Sequence, residues 1–119
     1  MGLRIPFVEH DDDMRYTLSR LLRDFDYDFV TAPDYQTACR ILDASPFDVL
    51  LSDIRLPDGD GCDLAMKAKS KQSLVAIALT ALGAVQDEQR AASCGFDHYF
   101  VKSVDFHCLR FVLDEISPQ

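Results

Sequence analysis

A chain of 119 residues has room for one folded domain and none for a second. With 48% hydrophobic and 27% charged residues it has the balance of a globular protein that closes its own core. Its 20 acids against 12 bases give a net charge of −8, which argues against direct nucleic-acid binding and against anionic membrane surfaces.

From the N-terminus, short apolar runs alternate with helical patterns. The runs are Ile5–Val8, Phe29–Thr31, Val49–Leu51, Leu74–Leu79 and Tyr99–Val101. Between the first two, Met14, Leu18, Leu21, Leu22 and Phe25 share one helical face. Asp11, Asp12 and Asp13 open that helix, where one caps free N–H groups and the others meet the positive end of the dipole. Ala38, Ile41 and Leu42 mark a second helix, and Leu64, Ala65 and Ala68 a third. The stretch from Ala84 to Cys94 is helix-compatible but poor in large apolar residues, which predicts a weakly held surface helix. Leu109, Val112, Leu113 and Ile116 form a strong closing stripe.

Five strands alternating with five helices predict a parallel sheet covered on both faces, an α/β doubly wound fold. Sites in such sheets lie beyond the carboxyl ends of the strands. Those ends carry Glu9 and His10 after the first strand, Asp53 on the third, Thr80 on the fourth and Lys102 on the fifth. Pro57, Gly59 and Gly61 follow Asp53 as loop formers.

Cys39, Cys62, Cys94 and Cys108 show no C-x-x-C spacing and sit in apolar stretches, so four reduced, mostly buried thiols are expected. The Cys94/His98 and His107/Cys108 pairs lack matching partners for a zinc site. No signal peptide and no apolar run long enough to span a bilayer is present, which suits a cytoplasmic setting.

The Asp48–Gly61 segment, taken with Asp53, Thr80 and Lys102 at successive strand ends, resembles the receiver domains of response regulators and hybrid histidine kinases, and the resemblance covers residues 1–119. It implies a flavodoxin-like sheet of strand order 2-1-3-4-5. It implies that Asp53 accepts a phosphoryl group from a phosphohistidine on a histidine kinase or phosphotransfer domain. A carboxylate suits that task because it is anionic without a helper base. Thr80 would hydrogen-bond the phosphoryl group and Lys102 would pair with it. Glu9, Asp53 and the Arg55 backbone carbonyl would hold Mg²⁺. Tyr99 stands where receivers carry a switch aromatic, and a downstream signalling protein or output domain would read the result. The chain stops after its last helix, as expected of a stand-alone regulator or of a receiver cut from a larger kinase.

Three residues depart from the family pattern. His10 replaces the second acid of the metal-binding pair, and imidazole is a poor ligand for Mg²⁺, so weak Mg²⁺ binding is expected. Ser103 replaces the proline whose cis bond positions the lysine; cis before a non-proline residue costs about 2.5–4 kcal/mol, so a trans bond is expected. Pro6 falls inside a central strand and predicts a local irregularity near Glu9. Two functions follow: a phosphorylation switch, or a degenerate receiver that acts as an interaction module without phosphate. A flavodoxin-like cofactor binder is disfavoured because no Gly-rich phosphate loop is present.

Overall fold

The structure is a computed structural model that describes residues 3–80, 85–102 and 106–116. Its elements are β1 (Arg4–Val8), α1 (Asp12–Asp24), β2 (Asp28–Ala32), α2 (Tyr35–Ala44), β3 (Val49–Asp53), β4 (Arg55–Leu56), β5 (Gly59–Asp60), α3 (Gly61–Lys71), β6 (Val75–Thr80), α4 (Val85–Ser93), β7 (His98–Val101) and α5 (Phe106–Ile116). The main sheet is parallel in the order β2-β1-β3-β6-β7. That is the expected 2-1-3-4-5 once the short antiparallel β4–β5 hairpin is set aside.

Side chains alternate along the strands and divide the core between two faces. Leu3, Ile5, Phe7, Val49, Leu51, Ile77 and Leu79 pack with Leu18 and Leu22 of α1 and with Leu109 and Leu113 of α5. Val8, Leu50, Ala76 and Ala78 face the other way, toward α2, α3 and α4, through Ala38, Leu42, Leu64, Ala65, Ala68 and Ala91. All five residues of β3 are buried, which puts Asp53 at the end of the most enclosed strand.

Aspartates start the first three helices. The Asp11 carboxylate accepts from the Asp13 N–H at 3.1 Å, Asp34 from Thr37 at 2.8 Å and Asp60 from Cys62 at 2.8 Å. Helix α1 ends where Asp26 takes a left-handed conformation at φ 67°, one that aspartate tolerates better than most residues.

Pro6 produces no bulge. It lies in register within β1, paired with Val30 of β2. Arg4 bonds toward the β3 side, through Asp48, whereas the Glu9 N–H donates to the Ala32 carbonyl at the end of β2. Ala32 is the last residue of β2, so residues 4, 6 and 8 turn their N–H groups toward β3 and residue 9 toward β2, and the N–H that Pro6 lacks would face β3. The β1–β3 ladder accordingly begins only at Phe7, opposite Leu51. The irregularity is a shortened ladder, not a distorted strand.

The expectation of four reduced thiols is corrected. Cys62, in the first turn of α3, is disulfide-bonded to Cys94, just after α4, with Cα atoms 5.5 Å apart. Thirty-two positions separate the two, and only the packing of α4 beside α3 brings them together. Cys39 is half-buried and Cys108 is exposed. Ser103, and with it the geometry of the Lys102–Ser103 bond, lies outside the described residues.

Candidate functional site

Four strands deliver side chains to one rim. Glu9 follows β1, Asp53 ends β3, Thr80 ends β6 and Lys102 follows β7. Glu9, Asp53 and Thr80 are 0%, 1% and 4% exposed. The Lys102 Nζ stands 3.0 Å from Asp53 Oδ1, and 3.1 and 3.2 Å from the two Glu9 oxygens. The Lys102 backbone N–H donates to the Thr80 carbonyl at 2.8 Å, which fixes where the lysine leaves the sheet. A cleft of about 120 Å³ opens over these groups, lined among others by His10, Asp53, Arg55, Thr80, Asp87 and Lys102.

Two buried carboxylates face one ammonium. Burial foremost, and then the Asp53 carboxylate, push Glu9 from 4.5 up to about 8, against the opposing pull of the Asp11 N–H and Lys102. Burial alone would depress the Lys102 ammonium, but Asp53 and Glu9 hold it above its ordinary value. Glu9 Oε1 and Asp53 Oδ1 are buried without a hydrogen bond, although the ammonium is at ion-pair distance from both. Such a set has capacity for a further cation.

His10 is part of this site. Its backbone N–H donates to Asp53 Oδ2 at 3.2 Å, and its Nδ1 lies 2.8 Å from the same oxygen and 3.5 Å from Glu9 Oε2. Asp11 reaches it through its backbone, whose N–H donates to Glu9 Oε2 at 3.0 Å, while its carboxylate caps α1. The oxygens of Glu9 and Asp53 suit Mg²⁺; the imidazole that completes the cluster does not.

Gly61 is required by close approach. A Cβ there would stand 2.1 Å from the Asp53 carbonyl oxygen and 2.9 Å from the Ile54 Cα. The Gly61 N–H donates to the Ile54 carbonyl at 2.7 Å, clamping the chain just past Asp53 against the start of α3. Asp58 holds the other side of this loop by accepting from the Tyr35 and Gln36 N–H groups at 2.7 and 3.1 Å.

Asp87 was not read from the sequence. It is 5% exposed, lines the cleft from the first turn of α4, and takes Arg55 Nε and Nη2 at 3.0–3.1 Å. Within the weak pattern of that helix, an acid in the first turn looks like an ordinary dipole partner, and nothing marks it as buried. Tyr99 lies on the edge strand β7, 41% exposed, with its hydroxyl raised in pKa chiefly by its hydrogen bond to Glu88.

An acid, a hydroxyl and a lysine converging at the carboxyl rim of a doubly wound parallel sheet define a protein of the receiver class. Residues 5–114 match the family described as response regulator receiver domain, and the chain belongs to that family, a module of two-component signalling. An uncharacterised 14.6 kDa protein from the sodA1 3′ region of Leptolyngbya boryana is 34% identical over 82% of this chain and 77% of its own length. The response regulator protein PilR of Pseudomonas aeruginosa is 32% identical over 87% of this chain, but this covers only 23% of PilR. In fold the chain is similar to the receiver domain of the Saccharomyces cerevisiae response regulator Ssk1, solved with the histidine phosphotransfer protein Ypd1. That likeness has a TM-score of 0.83 at 23% identity, over 96% of this chain and 88% of the other. Among the described residues no helix is long and apolar enough to cross a membrane.

Proposed function

We propose that residues 1–119 act as a receiver domain that takes a phosphoryl group onto Asp53 and thereby changes its contacts with other proteins. One observation carries the reading: the Asp53 carboxylate, almost wholly buried, opens onto a small cleft with Lys102 Nζ 3.0 Å away and Thr80 on the wall. An oxygen of Asp53 attacks the phosphorus of a phosphohistidine, the P–N bond breaks as the P–O bond forms, and the bond's electron pair leaves on an imidazole that keeps the proton already on its other nitrogen and so departs neutral. The charge gathered on the transferred oxygens then meets the Lys102 ammonium, while the Thr80 hydroxyl donates a hydrogen bond. A divalent cation held by Glu9, Asp53 and the Arg55 carbonyl would add neutralising charge, and with His10 beside it Mg²⁺ is held weakly. Tyr99 is the switch aromatic of this scheme. The donor is a histidine kinase or a phosphotransfer protein, the latter being the partner class of Ssk1 in the yeast complex.

A second reading, an interaction module that no longer takes phosphate, draws on the His10 Nδ1, which engages the acceptor carboxylate at 2.8 Å. Intact-mass measurement after incubation with acetyl phosphate and Mg²⁺ or Mn²⁺ separates the two. A single added phosphoryl group, absent from Asp53→Asn, is the expected result. No added mass with either ion, or a group that persists in the variant, selects the second reading or another acceptor.

A further inference from the structure

The cluster formed by Glu9, His10 and Asp53 holds one nitrogen and two carboxylate donors within 4.8 Å of one another. His10 Nδ1 is 2.8 Å from Asp53 Oδ2 and 3.5 Å from Glu9 Oε2. Two ligands bound at about 2.0–2.2 Å to one ion, at octahedral to tetrahedral angles, stand roughly 2.8–3.6 Å apart. Both spacings from Nδ1 therefore already match a shared ion. The second observation is that the remaining oxygens of the same two carboxylates, Glu9 Oε1 and Asp53 Oδ1, are buried without a hydrogen bond, with the Lys102 ammonium at 3.1 and 3.0 Å beside them, so two buried carboxylates share a single ammonium. The His10 side chain is 46% exposed, so water can satisfy Nε2 when the hydrogen sits there and the Nδ1 lone pair is released to an ion.

Donor chemistry then decides which ion. Magnesium demands near-ideal octahedral oxygen coordination and dehydrates reluctantly, whereas imidazole suits zinc, nickel, copper and their neighbours. We propose that Glu9, His10 and Asp53 form a mixed nitrogen–oxygen site selective for a divalent transition ion over magnesium, with His10 Nδ1 as the ligand that sets the preference. This deepens the proposed switch and rests on that reading for the ion's role. Binding is measured without a phosphodonor, however, so failure of the site and failure of phosphorylation are separate results.

Almost any protein site prefers zinc to magnesium, so absolute preference decides nothing. The test is how the ratio of the two affinities responds to residue 10. Calorimetric titration of the native chain, His10→Asp, His10→Asn and His10→Ala with ZnCl₂ and MgCl₂ reads that ratio, and circular dichroism checks that each variant is folded. Native zinc binding should weaken at least tenfold in His10→Ala. In His10→Asp, magnesium should tighten about tenfold and the zinc-to-magnesium ratio should fall. His10→Asn, neutral and offering an oxygen, should also lose zinc affinity, which keeps the test open if the charged variant does not fold. A Co²⁺ absorption band that shifts between the native chain and His10→Asn reports the lost nitrogen directly. Zinc binding that survives His10→Ala undiminished lies elsewhere and overturns the proposal, as does an unchanged ratio in both His10→Asp and His10→Asn.

Discussion

Lys102 carries more of the site's electrostatic balance than a strand-end lysine ordinarily would. Its ammonium faces both Glu9 and Asp53, whose carboxylates are buried, and among the described residues no other lysine or arginine side chain pairs with either. Removing one partner of a buried pair costs about 3–5 kcal/mol, and because Lys102 is 20% exposed the bottom of that range applies, about 3 kcal/mol. Urea denaturation of Lys102→Ala in metal-free buffer should show that loss. Glu9→Gln made in the Lys102→Ala background should recover part of it, since one carboxylate fewer is left facing Asp53. Additive effects of the two substitutions would mean that the three groups do not share one electrostatic balance. Glu9, Asp53, Thr80 and Lys102 were legible in the sequence because each closes an apolar strand, and strand ends of a parallel sheet share a rim. Asp87 and the Cys62–Cys94 bond were not, because each depends on where α4 settles against its neighbours, and residues 85–93 carry no strong apolar stripe to say so.

At the scale of elements, the start of β6 and the approach to β7 are joined by one side chain. Asp97 Oδ2 accepts from the Ala76 N–H at 2.9 Å and from Lys69 Nζ at 2.7 Å, while the Asp97 N–H donates to the Ala76 carbonyl. Burial alone would raise the Asp97 carboxyl, but Lys69 and the Ala76 N–H hold it below the usual carboxylate value. A depressed folded value means that its stabilisation is present above the unfolded pKa of about 3.9 and is lost as pH falls through the folded value. Asp97→Ala should therefore destabilise by about 1 kcal/mol at pH 7, a figure kept small because the side chain is 42% exposed. The gap between native and variant midpoints should narrow as pH falls below about 3.9, and a gap that stays constant with pH would assign the loss to packing. Gly61 belongs to the same scale. Gly61→Ala forces β3 and α3 apart where Asp53 is seated, and overpacking of this kind costs about 1–3 kcal/mol. Phosphoryl uptake should fall with it, whereas Gly59→Ala presses only on the Tyr35 ring, away from Asp53. Equal phosphoryl uptake by Gly61→Ala and the native chain would show that β3 absorbs the clash without moving the acceptor. The β4–β5 hairpin that creates this contact was hidden in the sequence, where it is only two residues either side of a Pro-Asp turn.

Across the whole molecule, holding strength is uneven, and the unevenness predicts where a charge added at Asp53 is felt. Helices α1 and α5 are anchored in one core face by leucines, Leu18, Leu22, Leu109 and Leu113. Helix α4 buries only Asp87 and Ala91 among its described side chains. Its attachments are instead polar or covalent and come from its neighbours: Arg55 to Asp87, Arg90 to Asp60, and the Cys62–Cys94 bond. The Arg55–Asp87 pair lines the same cleft as Asp53, so a dianionic group arriving there competes with Asp87 for the guanidinium. Val85 and Tyr99 are exposed on α4 and β7, so a loosened α4 would alter a surface already open to partners. Amide hydrogen exchange before and after phosphorylation should show its largest change in α4 and β7, with α1 and the β1–β2 ladder little affected. Arg55→Ala should raise the basal exchange of α4 and shrink the phosphorylation-dependent difference, because the contact to be broken is already absent. A difference of undiminished size in Arg55→Ala, or one spread evenly over both core faces, would place the transmission elsewhere than in this ion pair.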